Sequence, residues 1–175
     1  MYESFYKLSA DPFRLSPDPA FSFEHGCYRK AMTYMLHALQ RAEGFVMITG
    51  QPGTGKTTLL GDLVHTLRHE QIEITRIAST QLTSNDLLDL VAYSFNLNPE
   101  GCSKARLLLQ IEHFLNLQHQ HGRRTLLIVD EAQGMDEAAL EQLRLLTNIM
   151  VGNHQLMQVF LVGQEQLRDT VNTVH

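Results

Sequence analysis

The residues Gly50-Gln51-Pro52-Gly53-Thr54-Gly55-Lys56-Thr57-Thr58 carry the G-x-x-x-x-G-K-[ST] spacing of a phosphate-cradling loop. Glycines let the main chain curl around a phosphate chain with no Cβ in the way. The loop N–H groups and those of a following helix N-terminus then point at the oxygens. In that setting the Lys56 ammonium reaches the β and γ phosphates, and the Thr57 hydroxyl is a ligand for Mg²⁺. A second constellation lies at Asp130-Glu131, directly after the apolar run Leu126-Leu127-Ile128-Val129. In a parallel α/β sheet, ligands bind at the C-terminal ends of the strands. Asp130 is there placed to hold Mg²⁺ through water, because this ion gives up its hydration shell reluctantly. Glu131 is placed to orient or deprotonate an attacking water. One group on the metal and another on the nucleophile suits hydrolysis rather than binding alone. The competing readings are a chance glycine-rich turn and a solvated carboxylate just past a strand end.

These residues need particular elements to position them. Phe45–Thr49, short and apolar, reads as a buried strand before the loop, and Thr58–Leu67 has apolar residues at helical spacing after it. The first quarter is an extended arm punctuated by Pro12, Pro17 and Pro19, then a helix from about Tyr28 to Glu43 that Gly44 ends. A second strand spans Ile72–Ala78, and a helix from Thr83 or Ser84, with Asp86 near its N-terminus, runs to about Phe95. After a turn at Asn98-Pro99-Glu100-Gly101, a helix covers about Lys104–His121, closed by Gly122, and leads into the strand that ends at Asp130. Asp136 caps a helix through about Ile149, Gln158–Gln164 is the next strand, and a last helix begins near Gln166. Strands alternating with helices predict an α/β fold, a parallel sheet sandwiched by helices. The chain divides into an arm and helix over 1–44 and a core over 45–175, effectively one domain.

Composition narrows the function. With 175 residues and 43% hydrophobic content, the chain can bury one proper core. The net charge of −5 argues against nucleic acid as a partner. Cys27 and Cys102 lack metal-ligand spacing and read as free thiols of a reducing compartment. No run approaches membrane-spanning length and no signal-peptide pattern occurs, so the expectation is a cytoplasmic protein. The guanine-reading Asn-Lys-x-Asp signature is absent. His113, His119 and His121 read as a solvated helix face, and Met32, Met35, Met47, Met135, Met150 and Met157 as core or core-edge filler.

Several stretches together resemble one family: Phe5-Tyr6-Lys7-Leu8, Asp11 through Pro19, Glu43-Gly44-Phe45, the phosphate loop, Asp130-Glu131-Ala132-Gln133 and Phe160-Leu161-Val162-Gly163-Gln164. They look like the AAA+ ATPases of the general secretion pathway protein A (ExeA-like) family. Ser79-Thr80-Gln81-Leu82, Asp86-Leu87-Leu88 and Leu140 through Asn148 are similar in particular to ATPases associated with the exosortase/PEP-CTERM system and exopolysaccharide export. The resemblance implies a P-loop NTPase with strand order 5-1-4-3-2 that uses ATP and Mg²⁺. It puts Gly50, Gln51, Pro52, Gly53, Thr54, Gly55, Lys56, Thr57 and Thr58 on phosphates and metal, Asp130 on Mg²⁺ and Glu131 on water. Gln164 falls at the polar sensor position that feels the γ-phosphate, its alternative being a surface glutamine. Ser79 is implied to hydrogen-bond Glu131 and hold it idle. The segment with Phe13 and Pro17 either covers the adenine or simply anchors the arm in the core.

Family cores continue past the sensor strand into a fifth strand, an arginine finger and a helical lid, whereas this sequence stops at His175. The expectation is therefore a fragment, with the first strand left as a sheet edge. Nucleotide binding with weak or no turnover follows, since such a finger is worth ~10³–10⁵ in rate. The implied function is an ATPase that assembles with itself and powers or switches a membrane-associated secretion or polysaccharide-export machine. The alternative is an ATP-dependent DNA-binding switch similar to transposition regulators.

Overall fold

The computed structural model of the chain describes residues 26–78 and 83–173. The arm with Phe13 and Pro17, and Ser79, lie outside the described residues. In chain order the first elements are α1 (Gly26–Gln40), β1 (Phe45–Thr49), α2 (Lys56–Thr66), β2 (Ile72–Ala78), α3 (Ser84–Ser94) and α4 (Lys104–Gln120). Next come β3 (Arg124–Asp130), α5 (Glu137–Thr147), β4 (Met150–Val151), β5 (His154–Gln155), β6 (Met157–Gly163) and α6 (Gln166–Thr173).

The long strands form one sheet in the order β1-β6-β3-β2, and every pairing is parallel. In sequence these are the first, fourth, third and second long strands, the 1-4-3-2 portion of the expected order. After β1 the chain crosses to the far edge at β2, steps back through β3, and slots β6 into the place beside β1. Among the described residues β1 has one strand neighbour.

Burial explains the sequence pattern of each strand. β6 is buried along its whole length, and β3 from Thr125 to Asp130. Central parallel strands are covered on both faces, so they read as continuous apolar runs. On one face Met35, Leu39, Leu60 and Leu63 of α1 and α2 pack on Leu126, Ile128, Phe160 and Val162. On the other, Leu87, Val91, Ile111, Leu140 and Leu143 of α3, α4 and α5 pack on Leu127, Val129, Val159 and Leu161. The period of 2 along a strand sends alternate side chains to these two clusters. Burying these side chains supplies the main driving force, about 1.5–3 kcal/mol for each large aliphatic residue.

Local chemistry sets the helix ends. Thr83, Ser103 and Asp136 each accept a backbone N–H from the first turn of α3, α4 and α5. At the other end α1, α3 and α4 share one closing motif. Glu43 N donates to Ala38 O, Leu97 N to Ala92 O and Arg123 N to Gln118 O, at 3.0, 2.9 and 2.9 Å. The residue that turns left-handed is Ala42, Asn96 and Gly122 in turn, at φ 54, 58 and 71°.

Several boundaries differ from expectation. α1 spans Gly26–Gln40 rather than Tyr28–Glu43, because Ala42, not Gly44, makes the terminating turn. The Gln155 side chain packs over Gly44, where a Cβ would lie 2.5 Å from Gln155 Oε1 and displace that side chain. α5 stops at Thr147, and an antiparallel hairpin, β4–β5, precedes β6. Its turn places Gly152 at φ 59°, a left-handed position that glycine fills without a Cβ clash. Met47 and Met150 are exposed rather than buried, Met47 on the edge strand and Met150 on the hairpin. Cys27 and Cys102 are free thiols, as expected.

Candidate nucleotide-binding site

The loop Gly50–Gly55 leaves the C-terminal end of β1 and turns into α2. Its first residue is pinned to the neighbouring strand, Gly50 N donating to Gly163 O at 3.2 Å. Gly53 and Gly55 sit at φ 79 and 84°, left-handed geometry that explains why glycine is required at both. A Cβ on either would meet nothing within 4 Å, so both positions face open space. The Thr54 hydroxyl donates to Gln51 O at 2.8 Å and tightens the turn. Gly55 caps α2 without a side chain, so the first-turn N–H groups of α2 have no side-chain cap. Lys56 Nζ donates to Gly50 O and Gln51 O, each at 2.9 Å, folding its ammonium across the loop mouth. Gln51, Pro52 and Thr57 are exposed and Thr58 is half-buried.

Two strands away, β3 ends at Asp130. The residue is 5% exposed and shares a sheet face with Leu126 and Ile128, which pack against α2. Its side chain therefore lies on the same face as the helix that Lys56 opens. β6 lies between β1 and β3, so the strand ends that carry the loop and the carboxylate are roughly 10 Å apart. Asp130 Oδ1 accepts the Glu131 N–H at 2.9 Å. Asp130 Oδ2 takes the Arg76 guanidinium from β2 as an ion pair.

Glu131 turns the chain out of β3 in left-handed geometry, φ 53° and ψ 37°. For a residue with a Cβ this costs roughly 1–2 kcal/mol, strain that persists only where surrounding contacts hold it. The carboxylate is held by Gln133, whose Nε2 donates to Glu131 Oε2 at 2.5 Å. Gln133 Oε1 in turn accepts the Gln164 backbone N–H at 2.9 Å. Gln164 is thereby brought beside Glu131, through its main chain.

An oxygen-only pair, the Thr57 hydroxyl and the Asp130 carboxylate, suits Mg²⁺. Among the described residues no three His, Cys, Asp or Glu side chains converge on a metal position. A cation here would thus draw its remaining ligands from phosphate and water. The predicted residues accordingly gather around the ends of β1, β3 and β6, with Ser79 and the Phe13–Pro17 arm outside the described residues. Three participants were not singled out from sequence: Arg76, Gln133 and Arg168, whose Nη2 lies 3.4 Å from Thr49 Oγ1. Arg76 had one legible signal, since it continues the Ile72, Ile74 face of β2 with a charge.

Comparison with known proteins agrees with this fold. The sequence matches the family described as AAA domain over residues 39–171. General secretion pathway protein A of Aeromonas hydrophila is 39% identical over 171 residues, which cover 96% of this chain and 31% of that protein. The chain thus spans less than a third of the length of this curated relative. Among solved structures, Cdc6p from Pyrobaculum aerophilum superposes with a TM-score of 0.68 at 18% identity, over 98% of this chain and 45% of that one. ORC2 of Aeropyrum pernix, in ADPNP–ADP complexes, gives 0.64 at 17% identity, over 94% and 47%. At such identities the likeness is one of fold: an α/β parallel sheet with flanking helices, as in P-loop AAA+ ATPases.

Proposed function

Because this chain belongs to the AAA domain family, we propose that it binds ATP with Mg²⁺ at the Gly50–Thr58 loop and hydrolyses it. The observation that carries this reading is the arrangement of Lys56, Asp130 and Glu131 about the carboxyl ends of β1 and β3. Lys56 would leave the Gly50 and Gln51 carbonyls for phosphate oxygens, which offer the ammonium a full opposite charge. Mg²⁺, held by Thr57 and, through water, by Asp130, would neutralise developing phosphate charge. Glu131 orients a water and takes its proton as the water oxygen bonds to the γ-phosphorus. The bond from that phosphorus to the β–γ bridging oxygen breaks, and ADP leaves with the electron pair. Gln164 contributes a polar group at the end of β6 that responds to the γ-phosphate.

The identity to General secretion pathway protein A supports a role as the ATP-driven part of a secretion assembly. Within that role we place the chain nearest to the exosortase-associated, exopolysaccharide-export ATPases, on the Ser79–Leu82, Asp86–Leu88 and Leu140–Asn148 stretches. Its partners would be further copies of itself and membrane-associated export proteins, with the chain cytoplasmic or peripheral at the inner membrane. No helix among the described residues is long and apolar enough to cross a membrane. A DNA-binding switch is not favoured, given the net charge of −5. Titration calorimetry with ATP, ADP and GTP in Mg²⁺ tests the proposal. Adenine-selective binding is expected; equal affinity for GTP, or no binding, would overturn it.

A further inference from the structure

On the hydrolytic reading above, we propose that Gln133 is a positioning residue coupling the phosphate loop to Glu131 through the end of β6. Its amide is used at both ends, donating to Glu131 Oε2 at 2.5 Å and accepting from Gln164 N at 2.9 Å. The amide orientation follows from chemistry, since an ionised carboxylate only accepts and a backbone N–H only donates. A planar amide holds those two partners at a set spacing, so while both bonds last Glu131 moves with the strand end.

Packing enforces the same link. A Cβ on Gly163 would lie 2.7 Å from Gln133 Oε1 and 3.2 Å from Gln133 N, so the strand end bears directly on Gln133. Gly163 also accepts the Gly50 N–H at 3.2 Å, on the side of β6 facing β1. A continuous path therefore runs from Gly50 through Gly163 and Gln164 to Gln133 and Glu131. Any rearrangement of the loop around phosphate pulls on Gly163, and Gln133 delivers that movement to the carboxylate. Glu131, held left-handed at φ 53°, is the member with strain to release.

The test pairs Gln133→Ala, Gln133→Glu and Gln133→His in calorimetry, single-turnover ATP hydrolysis and amide hydrogen exchange. Gln133→Ala should leave the ATP Kd within about threefold and slow hydrolysis by about 10- to 100-fold, the scale of a misplaced catalytic group. Gln133→Glu, of equal size but with no donor for Glu131, should slow it as much. Gln133→His, which can both donate and accept, should recover part of the rate. A purely structural role would instead weaken binding or lower the melting temperature across all variants. Unchanged hydrolysis in Gln133→Ala would overturn the proposal.

Exchange keeps the two readings separate. Weak or no turnover of the parent chain bears on the hydrolytic reading alone, and the coupling is then decided at the Gln164 amide. Glu131→Ala should speed its exchange by about fivefold with Gln133 present, and add nothing in a Gln133→Ala background. Additive effects, or none from Glu131→Ala, would show that Gln133 does not connect the two.

Discussion

Arg76 and Asp130 form an ion pair between β2 and β3, on the sheet face that packs against α2. Asp130 is nearly buried while the Arg76 side chain is 41% exposed, so water screens one partner and not the other. The guanidinium thus compensates a desolvated carboxylate that is also the candidate metal ligand. Arg76→Leu should lower stability without nucleotide by about 1–2 kcal/mol, less than for a fully buried pair. Mg²⁺ with ATP should restore most of it, because the cation then supplies the missing charge. Thermal melts with and without Mg–ATP check both parts; a nucleotide-free melt equal to the parent's would show that the pair contributes nothing.

Lys56→Ala removes the ammonium that folds across the loop mouth. Losing charge-assisted hydrogen bonds to phosphate is worth about 1.5–3 kcal/mol, so ATP should bind roughly 10- to 100-fold more weakly. Stability should change little, since Gln51 is exposed and Gly50 only half-buried. Calorimetry beside a melting curve separates the two effects.

Glu131→Gln keeps the side-chain size and replaces the proton acceptor. ATP affinity should hold within about threefold while hydrolysis falls ~10²–10⁴-fold, the usual scale for a lost general base. A variant that still turns over at the parental rate would assign the water to another group.

Ala42→Gly addresses the end of α1. Ala42 occupies the same left-handed position as Gly122 does after α4, but with a Cβ. Removing that clash outweighs the extra freedom of the unfolded chain, so stability should rise by about 0.5–1 kcal/mol. The reverse change, Gly122→Ala, should destabilise by a similar amount. Denaturant midpoints of both variants read this directly.

The elements around the site were largely legible. β2 and β3 carry their own boundaries, because β-branched and aliphatic runs bounded by polar residues read the same way in any context. The loop was legible for a stricter reason, since Gly53 and Gly55 must be glycine to reach φ near 80°. Thr83 and Asp136 announced helix starts through capping chemistry that needs only their own first turns. Where local rules misled, a tertiary contact had taken over. Gly44 reads as a helix terminator, yet Ala42 makes that turn and the Gln155 side chain from the hairpin packs over Gly44. Met150 reads as core or core-edge, yet the hairpin carries it into solvent.

What the sequence determined by itself is the local chemistry: a phosphate loop between a strand and a helix, two carboxylates at a strand end, and alternating elements that require a layered α/β fold. The order of the strands rested on resemblance, because hydrophobic pattern marks a strand as central without naming its neighbours. Only the tertiary structure decided that β6 enters between β1 and β3 and sets Gly163 against both Gly50 and Gln133. It alone brought Arg76 to Asp130 and Gln133 to Gln164, contacts that reach across 54 and 31 residues of chain. Turn geometry and periodicity act over a few residues and are written in them. Pairing between distant segments is set by how both faces of the sheet are buried at once, and no short stretch holds that information.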